Sequence, residues 1–506
     1  MTKLFKKLTL LVVAWTLMAG GAAEPIDIGS RLELMVDEYL VGSRQGVELR
    51  LHRPTPREIT IVHNEPWEGN ASGYHTVFRD GDLYRMYYRG HRFSMEAENF
   101  GPAQHEVVCY AESKDGIVWT KPNLGLVAFN GSTENNIIWD GPGTHNFTPF
   151  KDTNPDCWLG AEYKALGGIG NGLYIFKSSD GIHWSQIHEE PVITKGAFDS
   201  QNIGFWDETR GQYAAYFRTF TQVAGKRLRS ISMTTSRDFV NWSPPAPLTY
   251  PGASPEQLYT NQVIPYYRAP HLLLGFPTRY ADRPLTQHIQ TVPPTDLRAV
   301  VLKAIQRGGT DLTDGLFMTS RDGVTFHRWG EAFLRPGLQR KGNWMYGNMY
   351  QNWGIVETPW DPSGGRLPDL DRLEVPNELS IYVSEGAWLN DVNRMRRYTL
   401  RIDGFVSMHA SLRGGEFTTK PIRFSGDNLV INYATSAAGS VRVELQDADG
   451  MPVEGYSLQD CPEIYGDTID QTVHWKAGPD LSALAGKAVR ARFVLKDADL
   501  YSLQFR

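Results

Sequence analysis

At 506 residues the chain exceeds one ordinary domain, and its 41% apolar content is enough to bury a full core. The formal net charge of -6 comes from interspersed acids and bases, with no basic stripe and no acidic tail, so a nucleic-acid binder is not expected. Three cysteines, Cys109, Cys157 and Cys461, leave one over if two pair and show no metal-ligand spacing, so neither a disulfide scaffold nor a metal centre is expected.

The N-terminus carries Lys3, Lys6 and Lys7, then an apolar run from Leu8 to Met18, then small residues from Ala19 to Ala23. That order predicts a secretory signal peptide over 1–23, removed in a secreted or periplasmic protein. The apolar run is short for a membrane span, and no membrane contact is expected after cleavage. Beyond it, helical periodicity is nearly absent. Short strands alternate with Gly, Asp, Asn and Pro turns, as at Tyr74 to Phe78, Leu83 to Tyr88, Tyr213 to Arg218 and Leu379 to Val383. This texture predicts an all-β sandwich, barrel or propeller.

A repeat decides among these. Ser113-Lys-Asp115-Gly116-Ile-Val-Trp119 returns as Ser178-Ser-Asp180-Gly181-Ile-His-Trp184, Ser236-Arg-Asp238-Phe-Val-Asn-Trp242 and Ser320-Arg-Asp322-Gly323-Val-Thr-Phe326. The starts lie roughly 60 to 80 residues apart, room for a four-stranded blade and its loops. Ser and Asp side chains cap such a turn and Gly supplies its unusual dihedral, so these aspartates read as structural. The four turns, with an N-terminal blade around Tyr74 to Arg89, predict a five-bladed β-propeller over 24–407. Trp360 to Pro376 reads as a long loop. From about residue 408 the texture changes: Thr418 to Tyr433, Ser440 to Gln446 and Val489 to Leu495 alternate like sandwich strands, predicting a β-sandwich over 408–506.

The Ser236 to Trp242 turn, the propeller-then-sandwich order and Lys151-Asp152-Thr-Asn-Pro155, a stretched Arg-Asp-Pro motif, resemble the five-bladed propeller glycosidases. The resemblance is strongest to glycoside hydrolase family 32, related to families 43, 62 and 117. It implies a secreted glycosidase acting on a poly- or oligosaccharide in a central pocket. The family's Asn-Asp-Pro-Asn-Gly and Glu-Cys motifs are absent here, so fructan or sucrose is not read as the substrate. Sialidases, which also repeat a Ser-x-Asp turn, are a second and lesser resemblance.

Glycoside hydrolysis uses two carboxyl groups, about 5 Å apart for retention and roughly 6.5 to 9.5 Å apart for inversion. In a propeller the innermost strands line the pocket, so acids at the starts of those strands converge. Glu68, in Trp67-Glu68-Gly-Asn70, sits near the family's nucleophile or base. Asp152, with Asp156 nearby, falls on the Arg-Asp-Pro-like position, which orients the substrate. Asp199, in Phe198-Asp199-Ser-Gln201-Asn202, stands where the family carries its general acid. Glu256 opens another strand in Pro255-Glu256-Gln257-Leu-Tyr259 and is a second acid candidate. Asp314, Glu357 and Glu385 read as structural.

Substrate contacts are expected from Trp67, His75, Arg218, Tyr259, Arg279, Trp344 and Trp353, because sugar faces stack on aromatic rings and arginines grip carboxylate or sulfate. An anionic glycan fits the arginines as well as a neutral one. No cofactor is expected; a structural calcium at the axis is compatible with the composition, but nothing specifies it. The competing readings are a non-catalytic sugar-binding propeller and a phosphorylase, lyase or sialidase-like enzyme on the same scaffold.

Overall fold

The computed structural model of the protein describes residues 24–96, 98–360, 376–389 and 393–506. The expected signal peptide over 1–23 lies outside these residues, as does most of the loop expected between Trp360 and Pro376.

The chain is nearly all β. Five antiparallel sheets follow one another on a common plan, a meander of short strands. The first holds Gly73–Asp80, Leu83–Gly90, Val107–Ser113 and Trp119–Thr120. The second runs Thr148–Lys151, Tyr163–Gly167, Tyr174–Ser178, Ser185–Gln186, and the third Ile203–Asp207, Gln212–Val223, Lys226–Ser236, Ala246–Pro247. The fourth runs Ile264–Tyr266, Ala269–Gly275, Met318–Ser320, His327–Arg328. The fifth begins with Tyr350–Gln351 and Val356–Thr358, continues through Glu378–Glu385 and Arg394–Leu400, and is completed by Thr55–Val62 from the other end of the chain.

Two details differ from the sequence expectation. The strands of Tyr74 to Arg89 share a sheet with the Ser113 turn instead of forming a blade of their own. The fifth sheet has no Ser-x-Asp turn, because its last strand arrives from residues 55–62 and no turn joins it to Arg394–Leu400.

The repeated turns work as their chemistry dictates. Ser113 Oγ accepts from Gly116 N at 2.8 Å, and Asp115 Oδ1 accepts from Ile117 N at 2.8 Å and Val118 N at 2.9 Å. Equivalent bonds recur at Asp180, Asp238 and Asp322. Gly116, Gly181 and Gly323 take φ of +73°, +78° and +84°. The carbonyl of each of these glycines also accepts a tyrosine hydroxyl from a neighbouring sheet: Tyr382 to Gly116 at 2.6 Å, Tyr87 to Gly181 at 3.0 Å, Tyr216 to Gly323 at 2.9 Å. The turn motif therefore ties sheet to sheet as well as strand to strand.

The fifth sheet returns to the first. Val77 N donates to Trp353 O at 2.8 Å, and Trp353 N donates to His75 O at 3.0 Å. Glycine is required beside this junction: a Cβ on Gly354 would lie 1.8 Å from Val77 O. Amides fill the centre. Gln201 Nε2 donates to His75 O at 3.0 Å, and Gln262 Nε2 donates to Gln201 Oε1 at 2.7 Å and to Gln351 O at 2.9 Å.

Two small sheets pair Phe93–Ser94 with Gly101–Pro102 and Thr278–Ala281 with Gln257–Leu258 and Leu312–Gly315, Ile137–Trp139 joins the first sheet, and a ten-stranded sheet holds the remaining strands among the described residues. Its longest members, Leu429–Asp447 and Ala488–Phe505, pair along most of their length with register shifts that bend the sheet. Phe424 stacks on Phe505 and Phe417 on Phe493 in its core. Residues 24–51, which the sequence assigns to the propeller, belong to this sheet instead. Ile26–Gly29 pairs with Ile422–Phe424, Val41–Gln45 with Gly415–Thr419, and Val47–Leu51 with Val406–Ala410. Their alternating pattern gives strands, but the partner lies more than 350 residues away and no local signal names it.

The sequence also misses the helices Gln287–Thr291 and Thr295–Ile305, inserted between Thr278–Ala281 and Leu312–Gly315. Arg298 is among the most deeply buried side chains, donating to Val292 O and Trp344 O, and a buried cation breaks the apolar periodicity that marks a helix.

Candidate functional site

A cavity of about 470 Å³ opens where the first, third and fifth sheets approach one another. Tyrosines 74, 259, 346 and 350 and the rings of Phe93 and Trp388 form much of its wall. Trp388 lies 5.9 Å from Phe93, nearly parallel, and 5.1 Å from Tyr346. Such flat, amphipathic rings suit the apolar faces and hydroxyl edges of a sugar.

The charged lining has two parts. In the first, Glu106 receives His145 Nδ1 at 2.9 Å and Arg89 Nη1 at 3.3 Å. Arg89 also donates to Ala71 O at 2.9 Å and lies over the Tyr74 ring at 4.7 Å. Burial alone would raise the Glu106 carboxyl, but the His145 hydrogen bond and Arg89 outweigh it and bring it down to about 2. Burial, aided by Arg89, lowers His91 to about 4, and the same two causes hold His145 below the usual histidine value. In the second part, Asp199 pairs with Arg218, and its carboxylate is about half exposed at 52%. Its backbone carbonyl accepts Tyr74 Oη at 3.0 Å, and His145 Nε2 lies 3.4 Å from the same oxygen. The His145 ring therefore has the Glu106 carboxylate at Nδ1 and the Asp199 backbone carbonyl at Nε2.

Of the residues expected from sequence, Asp199, Arg218 and Tyr259 meet at this cavity. The others do not. Glu68 is fully buried in the first sheet, accepting Tyr88 Oη at 2.5 Å and Lys121 Nζ at 2.6 Å. Asp152 is fully buried against Lys164 and accepts Tyr213 Oη at 2.7 Å. Glu256 pairs with Arg279 at 2.8 Å and with Arg328, and Arg279 is further bound to Asp314, in a separate groove between the third sheet and the short strands Gln257–Leu258 and Thr278–Ala281. Those pairings satisfy the three acids away from the cavity.

The expected aromatic contacts divide the same way. Trp67 Nε1 donates to Asn136 Oδ1 at 2.7 Å, and Trp353 Nε1 to Val263 O at 2.9 Å; both rings are core. Trp344 Nε1 bonds Gly337 O at 2.9 Å, away from the cavity lining. His75 is buried against His63, 2.9 Å between Nε2 atoms, and stacks on Tyr88. Burial and the neighbouring His63 hold His75 well below the usual histidine value.

Sequence reasoning missed Arg89, His91, Glu106, His145, Tyr346, Tyr350 and Trp388. One signal was present: the apolar strand Leu83–Gly90 ends in Tyr88-Arg89-Gly90-His91, and Arg89 and His91, two apart, face the same way.

No family model matches the sequence, and no curated protein matches it. Several solved structures are similar in shape. A glycoside hydrolase superposes with TM-score 0.41 at 12% identity, covering 69% of this chain and 92% of that one. An endo-arabinase from Bacteroides thetaiotaomicron VPI-5482 gives 0.37 at 10% identity, covering 68% and 98%. A fructofuranosidase from Schwanniomyces occidentalis, complexed with fructosylnystose, gives 0.36 at 11%, covering 90% and 96%. Likeness at this level carries no argument about activity, which rests on the cavity itself.

Proposed function

We propose that this chain is an exported glycosidase: a five-bladed propeller with a β-sandwich beside it, cleaving a poly- or oligosaccharide in the tyrosine-lined cavity. The observation that carries the reading is that Asp199 and Glu106 line one aromatic cavity of sugar size, each paired with an arginine, Arg218 and Arg89. Glycosidic cleavage needs a proton for the leaving oxygen and negative charge near the anomeric carbon as it becomes cationic. Asp199, half exposed at the mouth, is the proton donor. Glu106, held ionised by His145 and Arg89, supplies the negative charge. Export rests on the signal-peptide pattern over 1–23.

The test is reducing-sugar release from a panel of neutral, uronate-containing and sulfated glycans by wild type, Asp199→Asn and Glu106→Gln. Release by wild type that falls about 100-fold or more in Asp199→Asn, with folding intact, supports the reading. Binding of a glycan without release from any of them would make the chain a sugar-binding propeller instead.

A further inference from the structure

Tyr259 stands apart from the other tyrosines of the cavity. Two guanidinium groups flank its ring, Arg218 at 5.1 Å and Arg229 at 5.7 Å from the centroid. Arg229 also lies 4.1 Å over Tyr280 and donates to the neutral amide oxygen of Gln257 at 2.5 Å. Tyr346 donates its hydroxyl proton to Tyr259 Oη at 3.1 Å. The remaining close groups are the rings of Tyr280 and Tyr350. Of the acids in this neighbourhood, Asp199 and Glu106 line the cavity with Tyr259, paired with Arg218 and with Arg89 and His145, and buried Asp311 faces Arg229. A phenol that receives a hydrogen bond and sits between two cations has the environment a phenolate needs.

We propose that Tyr259 is a catalytic residue whose phenolate serves as the general base of the cavity. The proposal rests on the glycosidase reading and supplies the group that activates water. The phenolate oxygen takes a proton from a water molecule as the water oxygen bonds to the anomeric carbon. The glycosidic C–O bond breaks, and its oxygen takes the proton from Asp199. Solvent then returns a proton from Tyr259 to Asp199, and nothing is oxidised or reduced.

The electrostatics agree. Burial would raise Tyr259, but Arg218, the Tyr346 hydroxyl and Arg229 outweigh it and hold the phenol below the ordinary tyrosine value. Burial, with Tyr259 as a neighbouring charge, drives Tyr74, Tyr346 and Tyr350 well above that value.

The experiment is an ultraviolet difference titration of the intact mature protein, following phenolate absorbance from neutral pH upward. It is run on wild type, Tyr259→Phe and Arg229→Gln, with sugar release measured on the same samples. The expected result is about one phenolate per chain appearing at least about one pH unit below the ordinary tyrosine value of ~10. It is missing in Tyr259→Phe and shifts upward in Arg229→Gln. Sugar release rises with pH through the same midpoint, and kcat drops about 100-fold or more in Tyr259→Phe with KM little changed. No early phenolate in wild type overturns the proposal, as does a folded Tyr259→Phe with full kcat. If Tyr259→Phe does not fold, the Arg229→Gln shift decides, and an unmoved midpoint overturns it. An early phenolate with no sugar released from any glycan would overturn the glycosidase reading and leave the ionised tyrosine standing.

Discussion

Asp152 separates structure from motif most sharply. The sequence places it where a substrate-orienting aspartate belongs, but the fold buries it completely against an equally buried Lys164. Tyr213 Oη bridges the pair, 2.7 Å from Asp152 Oδ2 and 2.8 Å from Lys164 Nζ. Removing one partner of a buried pair costs ~3–5 kcal/mol, because the surviving charge stays desolvated. Here the surviving ammonium keeps three rings, Trp158 and Tyr213 at 4.9 Å and Phe239 at 5.7 Å. These offset part of the penalty, which puts Asp152→Ala near the lower end, about 3 kcal/mol. Adding Lys164→Met removes the stranded charge and restores most of the loss. The assay is urea unfolding of the mature chain followed by tryptophan fluorescence, with sugar release per folded molecule measured alongside. The expected outcome is a destabilised single variant, a rescued double variant and unchanged turnover in both. A single variant as stable as wild type but inactive would refute the structural assignment and return Asp152 to the active site.

Two further outcomes follow from other parts of the molecule. Trp388→Ala removes one face of the sugar-sized cavity and weakens glycan binding about 2- to 10-fold by calorimetry, the value of one aromatic contact, whereas Trp344→Ala leaves it unchanged; equal effects in the two would contradict the placement of the site. Glu33 accepts Arg31 Nε at 2.6 Å and Arg321 Nη1 at 2.9 Å, joining the ten-stranded sheet to the Ser320 turn. Burial would raise its carboxyl, but contacts with His271, Arg321 and Arg31 lower it from 4.5 to about 2. A depressed carboxyl stabilises the fold above its unfolded value and loses that contribution as pH falls through the folded one, here between about 4.5 and about 2. The contribution is about 3 kcal/mol. Acid titration of unfolding should therefore flatten over that window in Glu33→Gln, and a variant titrating like wild type would remove Glu33 from the account.

What was legible in the sequence is what is local. The Ser-x-Asp turns bond within four residues, so their spacing alone announced a series of similar sheets, and Asp115, Asp180, Asp238 and Asp322 are bound as the motif requires. The pairing of Thr55–Val62 with Arg394–Leu400 and of residues 26–51 with 406–424 spans the whole chain. Alternation marks such segments as strands without saying whose.

The site was harder to read for a chemical reason. A search for acids at the starts of inner strands assumes that carboxylates occupy the centre. Here those starts carry Gln201, Asn202, Asn261 and Gln262, whose side-chain amides donate to carbonyls and, from Gln262, to Gln201, with Gln351 and Asn352 beside them. Neutral amides both donate and accept, so they can close a ring of inward-facing backbone that like-charged carboxylates would push apart. The cavity's charge is carried a layer further out, by Arg89 at the end of a second strand, Glu106 before a third and His145 in a connecting turn. Asp199 was found because it precedes Gln201 and Asn202 closely enough to share their approach to the centre, and Arg218, in the adjacent strand, holds it at the mouth.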